Sequence, residues 1–512
     1  MPVMPEPIAT KAVFPLWAAL IVAAGAGPVL DGAFPDRDMW PLAFVGVALI
    51  LLTLIGRRLG SALLVGFIAG CAFYFTHIQW ASLFLGPLPM SALAVLQSLF
   101  FSAGAGAIAL AYRWIPLAWP GVSGRLILLP TAVAGLWTAR EAWSSVWPYG
   151  GFAWGRVSLS QSESPLSALF AWLGISGVTF VIVAFTALAL EGVRFGGISR
   201  LTRGLAVAVA AVVLLTFPSF PVAVDGAFRV AAVQGNGKAG YFDGSQANEL
   251  LQAQLDATLP LFGEEVDVVV WPEGTTYRDP LTDDYTAGVF DFVSEQMDAP
   301  LVAQGVTERD GLFHNTAVLW RAGEGALDLY DKKHPVPFGE YIPDRAFWRP
   351  FAPDLIDLIQ REYTPGTTDN VFAIDGVIAG INICFDIVDD QILGDAVREG
   401  AQVILASSNN ADFGRTDESV QQLAVARIRA LELGRSVVNI STVGISAMIA
   451  PDGSTIAQLP WYAAGAMVEN VPLSSTITPA VWGGRQLEWF VSLFGLSALI
   501  LAGVARPRRS QI

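Results

Sequence analysis

Charge is scarce in this chain. Only 15% of its 512 residues are Asp, Glu, Lys or Arg, against roughly a quarter in soluble domains, which argues against a protein that is water-soluble along its whole length. Cysteine is scarcer. Cys71, inside an apolar stretch, and Cys384 give no disulfide framework and leave the redox compartment unread. The three histidines, His77, His314 and His334, have no zinc-type spacing with one another or with the cysteines, so neither a metal nor another cofactor is expected. Internal repeats and low-complexity tracts are lacking too.

What charge there is segregates. Residues 1–224 with 488–512 carry 14 basic against 8 acidic side chains, and residues 225–487 carry 16 against 37, so the parts net +6 and −21 of the chain's −15. An apolar, slightly basic part around a strongly acidic one reads as a membrane region enclosing a water-soluble domain of 225–487, ample for a core of its own. The acidity excludes nucleic acid as a partner, because phosphates would be repelled.

Apolar runs of bilayer length lie near 14–30, 40–55, 61–79, 90–112, 124–140, 166–190, 204–223 and 488–505. They predict about eight α-helical spans, of about 20 residues each. A cleaved signal peptide is an alternative for the first, since Lys11 precedes it, but span after span follows. With the N-terminus in the cytoplasm, the inner loops hold Lys11, Arg57, Arg58, Arg113, Arg125, Arg194, Arg200, Arg203, Arg506, Arg508 and Arg509, and the outer ones only Arg37, Arg140 and Arg156. Cations favour the inner side, so the acidic domain is expected on the outer face of the cytoplasmic membrane. Trp143, Trp147, Tyr149, Phe152 and Trp154 between spans five and six suit either an interfacial aromatic belt or a lipid-contacting wall or mouth of the site. Arg140 and Glu141 suit a structural pair at least as well as a catalytic one.

From Phe228 short β-rich runs alternate with helical ones. Strands are expected at 228–234, 266–271, 300–307, 315–321, 371–374, 377–384, 402–407, 436–442 and 445–450, and helices at 246–259, 283–297, 387–399 and 418–433, the last capped by Gly434. Fully apolar strands such as 266–270 predict an α/β domain whose sheets are covered on both faces. The stretches 237–247 and 411–418 read as mobile loops near a site.

Three segments carry chemistry. Glu273 follows an apolar strand in Trp271-Pro272-Glu273, where it suits a base, a helix cap or a salt-bridge partner. Lys332 and Lys333 precede His334, and adjacent lysines often mark a solvated face. Cys384 ends Gly380-Ile381-Asn382-Ile383 and enters a helix-like segment, whose N-terminal field favours thiolate; a buried structural cysteine is the alternative. Together they supply a base, an oxyanion-stabilising cation and a sulfur nucleophile.

Glu, then Lys about 60 residues on, then Cys about 50 further resembles the nitrilase, or carbon-nitrogen hydrolase, superfamily. That resemblance implies an αββα sandwich and a Glu-Lys-Cys triad, with Tyr330-Asp331-Lys332-Lys333-His334 placing the lysine at Lys332. Nearly the whole chain resembles the apolipoprotein N-acyltransferase family. Val233-Gln234-Gly235-Asn236, Val336-Pro337-Phe338-Gly339-Glu340-Tyr341 and Arg429-Ala430-Leu431-Glu432-Leu433-Gly434-Arg435 carry the likeness alongside the spans. Soluble nitrilases lack the membrane part. Pro335, Phe385-Asp386 and Asp412 stand where the family often has Leu, Tyr-Glu and an aromatic residue, and Asp412 puts a lipid-contacting aromatic on its loop in doubt.

The resemblance implies that Glu273 is the general base, Cys384 the nucleophile and Lys332 the oxyanion stabiliser, with the carboxylate of Glu340 as a fourth group orienting the lysine or the amine, or else a structural partner. It implies ping-pong transfer of an acyl chain from a membrane phospholipid, through a thioester, to the diacylglyceryl-modified N-terminal cysteine of an apolipoprotein. The implied setting is the bacterial cytoplasmic membrane, with the chain acting as a monomer. A membrane-tethered amidase would share the triad but need one span. A transporter or scaffold would place polar residues within the spans, and these are nearly absent.

Overall fold

The computed structural model describes residues 11–196, 199–243 and 248–506. It divides into two compact units, Met1–Ser219 with Gly483–Ile512, and Phe220–Trp482. The first two residues of the helix expected at 246–259, together with Arg508 and Arg509, lie outside the described residues.

In the first unit a helix stands over each of the eight apolar runs: Leu16–Asp31, Leu42–Leu54, Leu59–His77, Pro87–Ala118, Leu129–Ser144, Phe170–Arg194, Arg200–Leu215 and Pro479–Ala505. Four helical segments among the described residues are long and apolar enough to cross a membrane, Leu59–His77, Pro87–Ala118, Pro165–Arg194 and Pro479–Ala505. The expectation of eight thus narrows to four helices of membrane length. Leu16–Asp31 and Leu42–Leu54 are apolar but shorter, and at 1.5 Å per residue they fall short of a core about 30 Å thick. The run expected to reach 223 stops as helix at Leu215, because Pro218 cannot donate to the ladder and disfavours helical backbone at Phe217.

Small residues let these helices touch. A Cβ at Gly27 would sit 2.4 Å from the Ala72 carbonyl carbon, the close approach that packing without a hydrophobic drive requires. Glu141 is a buried hub. Its carboxylate accepts from Trp137 Nε1 at 2.8 Å, Val157 N at 3.2 Å, Thr179 Oγ1 at 3.0 Å and the neighbouring Arg140 at 3.3 Å. The pair therefore ties the aromatic loop to two helices. Trp143, at the end of the helix Leu129–Ser144, and Trp147 in the loop are exposed, and Trp154 is buried.

The second unit is a two-sheet sandwich. Its strands are β1 Gly226–Gln234, β2 Val268–Val270, β3 Leu301–Arg309, β4 Leu312–Arg321, β5 Gly325–Asp331, β6 Val371–Ile374, β7 Val377–Ile383, β8 Val403–Ser408, β9 Ser436–Ser441, β10 Ser446–Ile449, β11 Thr455–Leu459 and β12 Gly465–Leu473. One sheet has the order β12-β1-β2-β3-β4-β5 and the other β11-β10-β9-β8-β7-β6. Alternation assigns the faces. Val230, Val270, Val302 and Leu319 meet Ile381, Leu405, Val438 and Ile440 between the sheets, while Val233, Val269, Trp271 and Leu301 pack outward against Phe290 and Val293 of the helix Asp284–Met297. Helices on both outer faces give the expected αββα layering. The helix Asp417–Leu433 ends at Gly434, whose φ of 63° is the left-handed cap glycine adopts without strain.

Strand direction positions the site. β2 runs parallel to β3, and β4 is antiparallel to both β3 and β5, so β2, β3 and β5 end at one rim where β4 begins. Three strands absent from the expectation, β5, β11 and β12, are edge or edge-adjacent strands with partly exposed side chains. They lack the apolar runs that betray a strand in sequence.

Candidate active site

Glu273 stands three residues past β2, Lys332 directly after β5 and Cys384 directly after β7. The structure brings the three together with Glu340. Lys332 Nζ lies 2.9 Å from Glu340 Oε2 and 3.6 Å from Glu273 Oε1, and the lysine side chain is 1% exposed. Cys384 and Glu273 are near enough for each to shift the other's proton affinity.

The backbone fixes each position. Trp271, fully buried, packs edge-on to Phe290 at 5.8 Å and donates Nε1 to Thr258 Oγ1 at 3.1 Å, which anchors the strand end carrying Pro272 and Glu273. Thr442 Oγ1 donates to the Glu273 carbonyl at 2.6 Å. Lys332 N donates to Asn315 O at 2.8 Å and extends the ladder by one residue beyond β5. Glu340 closes a tight turn, its own N donating to Val336 O at 2.8 Å while its Oε2 accepts from Val336 N at 2.5 Å. Lys333 is partly exposed and its backbone N points to Asp386.

Two residues that sequence reasoning did not count among the site residues complete the arrangement. Asn315, at the start of β4, donates Nδ2 to Glu273 Oε1 at 2.8 Å and to Glu340 Oε1 at 3.0 Å, so one amide holds both carboxylates at the lysine. Asp386, two residues past the cysteine, accepts from Lys333 N at 3.3 Å, His334 N at 3.2 Å and Tyr330 Oη at 3.3 Å. It ties the cysteine turn to the lysine segment. Nothing local marks Asn315. The sole sequence signal for Asp386 is its place beside Cys384.

Burial governs the electrostatics. It pushes the Glu273 carboxyl above the usual range; the Lys332 ammonium opposes this and Glu340 adds to it. Burial would lower Lys332, but Glu340 and Glu273 outweigh it and hold the ammonium well above its ordinary value. The expected thiolate-favouring field at Cys384 is not what the structure has. The segment Cys384–Val388 is a single 3-10 turn rather than an α-helix, and burial, with Glu273 adding to it, raises the thiol well above its usual range. The cysteine keeps some accessible surface, yet the protein atoms packed around it are dense enough to penalise a thiolate. Asp386 is pushed up to about 6 and Glu418 to about 8, both chiefly by burial.

Cys384 has a φ of 50°, a region that a residue with a Cβ seldom occupies and that marks strain held by its surroundings. A base in contact with a thiol, beside a fixed ammonium, can generate a sulfur nucleophile and stabilise a tetrahedral oxyanion. Asp412 is near enough to Glu273 to feel its charge. Its Oδ1 accepts from Tyr241 N at 2.7 Å, and Asn409 Nδ2 donates to Ala239 O at 2.8 Å, so the 239–243 and 409–413 loops are clasped together.

Residues 26–188 match the apolipoprotein N-acyltransferase N-terminal domain, and residues 229–478 match the carbon-nitrogen hydrolase family. The apolipoprotein N-acyltransferase of Mycolicibacterium smegmatis is 32% identical, over 96% of this chain and 86% of that one. That of Azotobacter vinelandii is 29% identical, over 97% and 96%. Among solved structures, an amidase of the nitrilase superfamily from Nesterenkonia AN1 aligns at 17% identity with a TM-score of 0.38, over 49% of this chain and 94% of that one.

Proposed function

The chain belongs to the apolipoprotein N-acyltransferase family, and we propose that it moves a fatty acyl chain from a membrane phospholipid, through a thioester on Cys384, to an apolipoprotein's N-terminal diacylglyceryl-cysteine. The observation that carries this assignment is the meeting of Glu273, Lys332 and Cys384 at one strand-end rim, with Glu340 as the nearer carboxylate to the lysine.

Because burial disfavours a standing thiolate, the thiol proton passes to Glu273 as the sulfur attacks the ester carbonyl. A raised carboxyl is the better matched acceptor for a reluctant thiol. Lys332 stabilises the oxyanion of the tetrahedral intermediate. Its collapse breaks the C–O bond, the lysophospholipid oxygen takes the proton back from Glu273, and the thioester remains. The α-amine of the acceptor cysteine then attacks that carbonyl. It yields a proton to Glu273, the C–S bond breaks, and reprotonation of Cys384 leaves an amide on the lipoprotein. Glu340 and Asn315 keep the ammonium and the base in register throughout.

The cation distribution supports placing residues 225–487 on the outer face of the bacterial cytoplasmic membrane, with eight helices crossing it and both termini inside. The shorter helices would then cross where the bilayer thins around them. Both substrates are bilayer-anchored, so encounter is a lateral search at high effective concentration. The test is intact-mass measurement of purified protein before and after exposure to phospholipid. A mass gain of one acyl chain in the wild type, absent in Cys384→Ala and Cys384→Ser, is expected. Wild-type turnover by Cys384→Ser would refute the assignment.

A further inference from the structure

The turn that carries Cys384 is gripped by a guanidinium outside the reacting groups. Arg429, on the helix Asp417–Leu433, has a side chain 1% exposed. Its Nε donates to the Ile387 carbonyl at 2.8 Å, its Nη2 to Asp390 Oδ1 at 2.8 Å, and its Nη1 pairs with Glu432 on the same helix. Ile387 is the fourth residue of the turn Cys384–Val388, and Asp390 stands two residues before the helix Ile392–Arg398. One planar fork thus joins the nucleophile's turn and the segment after it to the helix that carries the arginine.

Such a grip matters because Cys384 occupies the left-handed region, a conformation the surroundings must impose. Upstream, the pairing of Ile383 with Ser407 fixes the end of β7. On the lysine side, Asp386 takes the Lys333 and His334 amides. Downstream, the Ile387 carbonyl is held by Arg429. We propose that Arg429 is a positioning residue for acyl transfer, whose hold on the Ile387 carbonyl keeps the Cys384 sulfur in reach of Glu273 and Lys332. The inference rests on the reading of Cys384 as the nucleophile. A lysine at this position would keep the charge but lose the fork, since a single ammonium does not reproduce the fixed planar geometry.

The test uses full-length protein in detergent, in a Cys71→Ala background, treated with iodoacetamide over a pH series. Cys384 modification is followed by intact mass as a rate. Arg429→Lys is expected to slow alkylation by about ten-fold or more and to displace its pH profile, with acyl-enzyme formation falling in parallel. Glu432→Gln, which removes the ion pair but leaves the Ile387 carbonyl its donor, is expected to keep the wild-type rate and profile. A wild-type rate and profile in folded Arg429→Lys overturns the inference. An equal loss in Glu432→Gln overturns it as well, since the cluster would then support the helix alone. If Arg429→Lys yields no folded protein, Arg429→Gln, which shortens the side chain and removes the fork, decides in the same assay: slowed alkylation supports the inference and a wild-type rate overturns it. Failure of the wild type to form an acyl-enzyme would instead remove the functional reading, because alkylation needs no lipid.

Discussion

Lys332 sits closer to Glu340, at 2.9 Å, than to Glu273, at 3.6 Å. The ammonium's principal counter-charge is therefore a carboxylate outside the Glu-Lys-Cys set, which leaves Glu273 more able to exchange a proton with the thiol.

Glu340→Gln should fold and lose acyl-enzyme formation by roughly ten-fold or more, because a buried ammonium deprived of its nearest anion no longer holds one position for the oxyanion. Single-turnover acylation followed by intact mass is the measurement. Unchanged rates would make Glu273 the lysine's working partner and Glu340 a spectator.

Of the two adjacent lysines, Lys332 is expected to carry the chemistry. Its side chain is buried between carboxylates, whereas Lys333 is partly exposed, as neighbours on extended backbone must point apart. Lys332→Ala should lower acylation roughly 100-fold or more, and Lys333→Ala should change it little. Lys332→Arg should also be poor, since a planar fork replaces a compact ammonium. Loss of acylation in Lys333→Ala alone would shift the register by one residue.

Glu418 predicts a pH-dependent stability. It accepts from Asn410 Nδ2 at 2.8 Å and 3.1 Å, and burial pushes its carboxyl up to about 8 in the folded protein against 4.5 for an ordinary glutamate. Its folded pKa is raised, so between those values the unfolded chain has released a proton that the folded protein keeps. The stability this group contributes is present at low pH and declines as pH rises through the window, by at most about 1.4 kcal/mol per pH unit. Glu418→Gln does not titrate and should gain on the wild type steadily from about pH 4.5 to about pH 8, then level off. Unfolding midpoints over a pH series decide it, and a difference independent of pH would contradict the assignment.

Topology can be read by labelling introduced cysteines with an impermeant maleimide in intact cells, in a Cys71→Ala, Cys384→Ala background. Asp310→Cys, at an exposed hairpin tip, should label, and Arg506→Cys should not. The opposite pattern would invert the proposed orientation.

What the sequence determined by itself was local. Unbroken apolar runs marked the helices of the first unit and most strands of the second, including β6 at its observed bounds, Val371–Ile374. Hydrophobic periodicity is written residue by residue and survives without knowledge of neighbours. Motif spacing likewise picked out Glu273, Lys332, Glu340 and Cys384, each near a strand end or turn. The tertiary structure alone decided how these groups act on one another. It set Glu340 nearest the lysine, bridged two carboxylates with Asn315 from 42 and 25 residues away, and tied Asp386 to backbone amides more than 50 residues upstream. It also buried the Cys384 thiol so that its pKa rises where the local pattern foretold a fall. Proton affinity depends on distance through space and on lost solvent, and neither quantity is encoded in the spacing of residues along a chain.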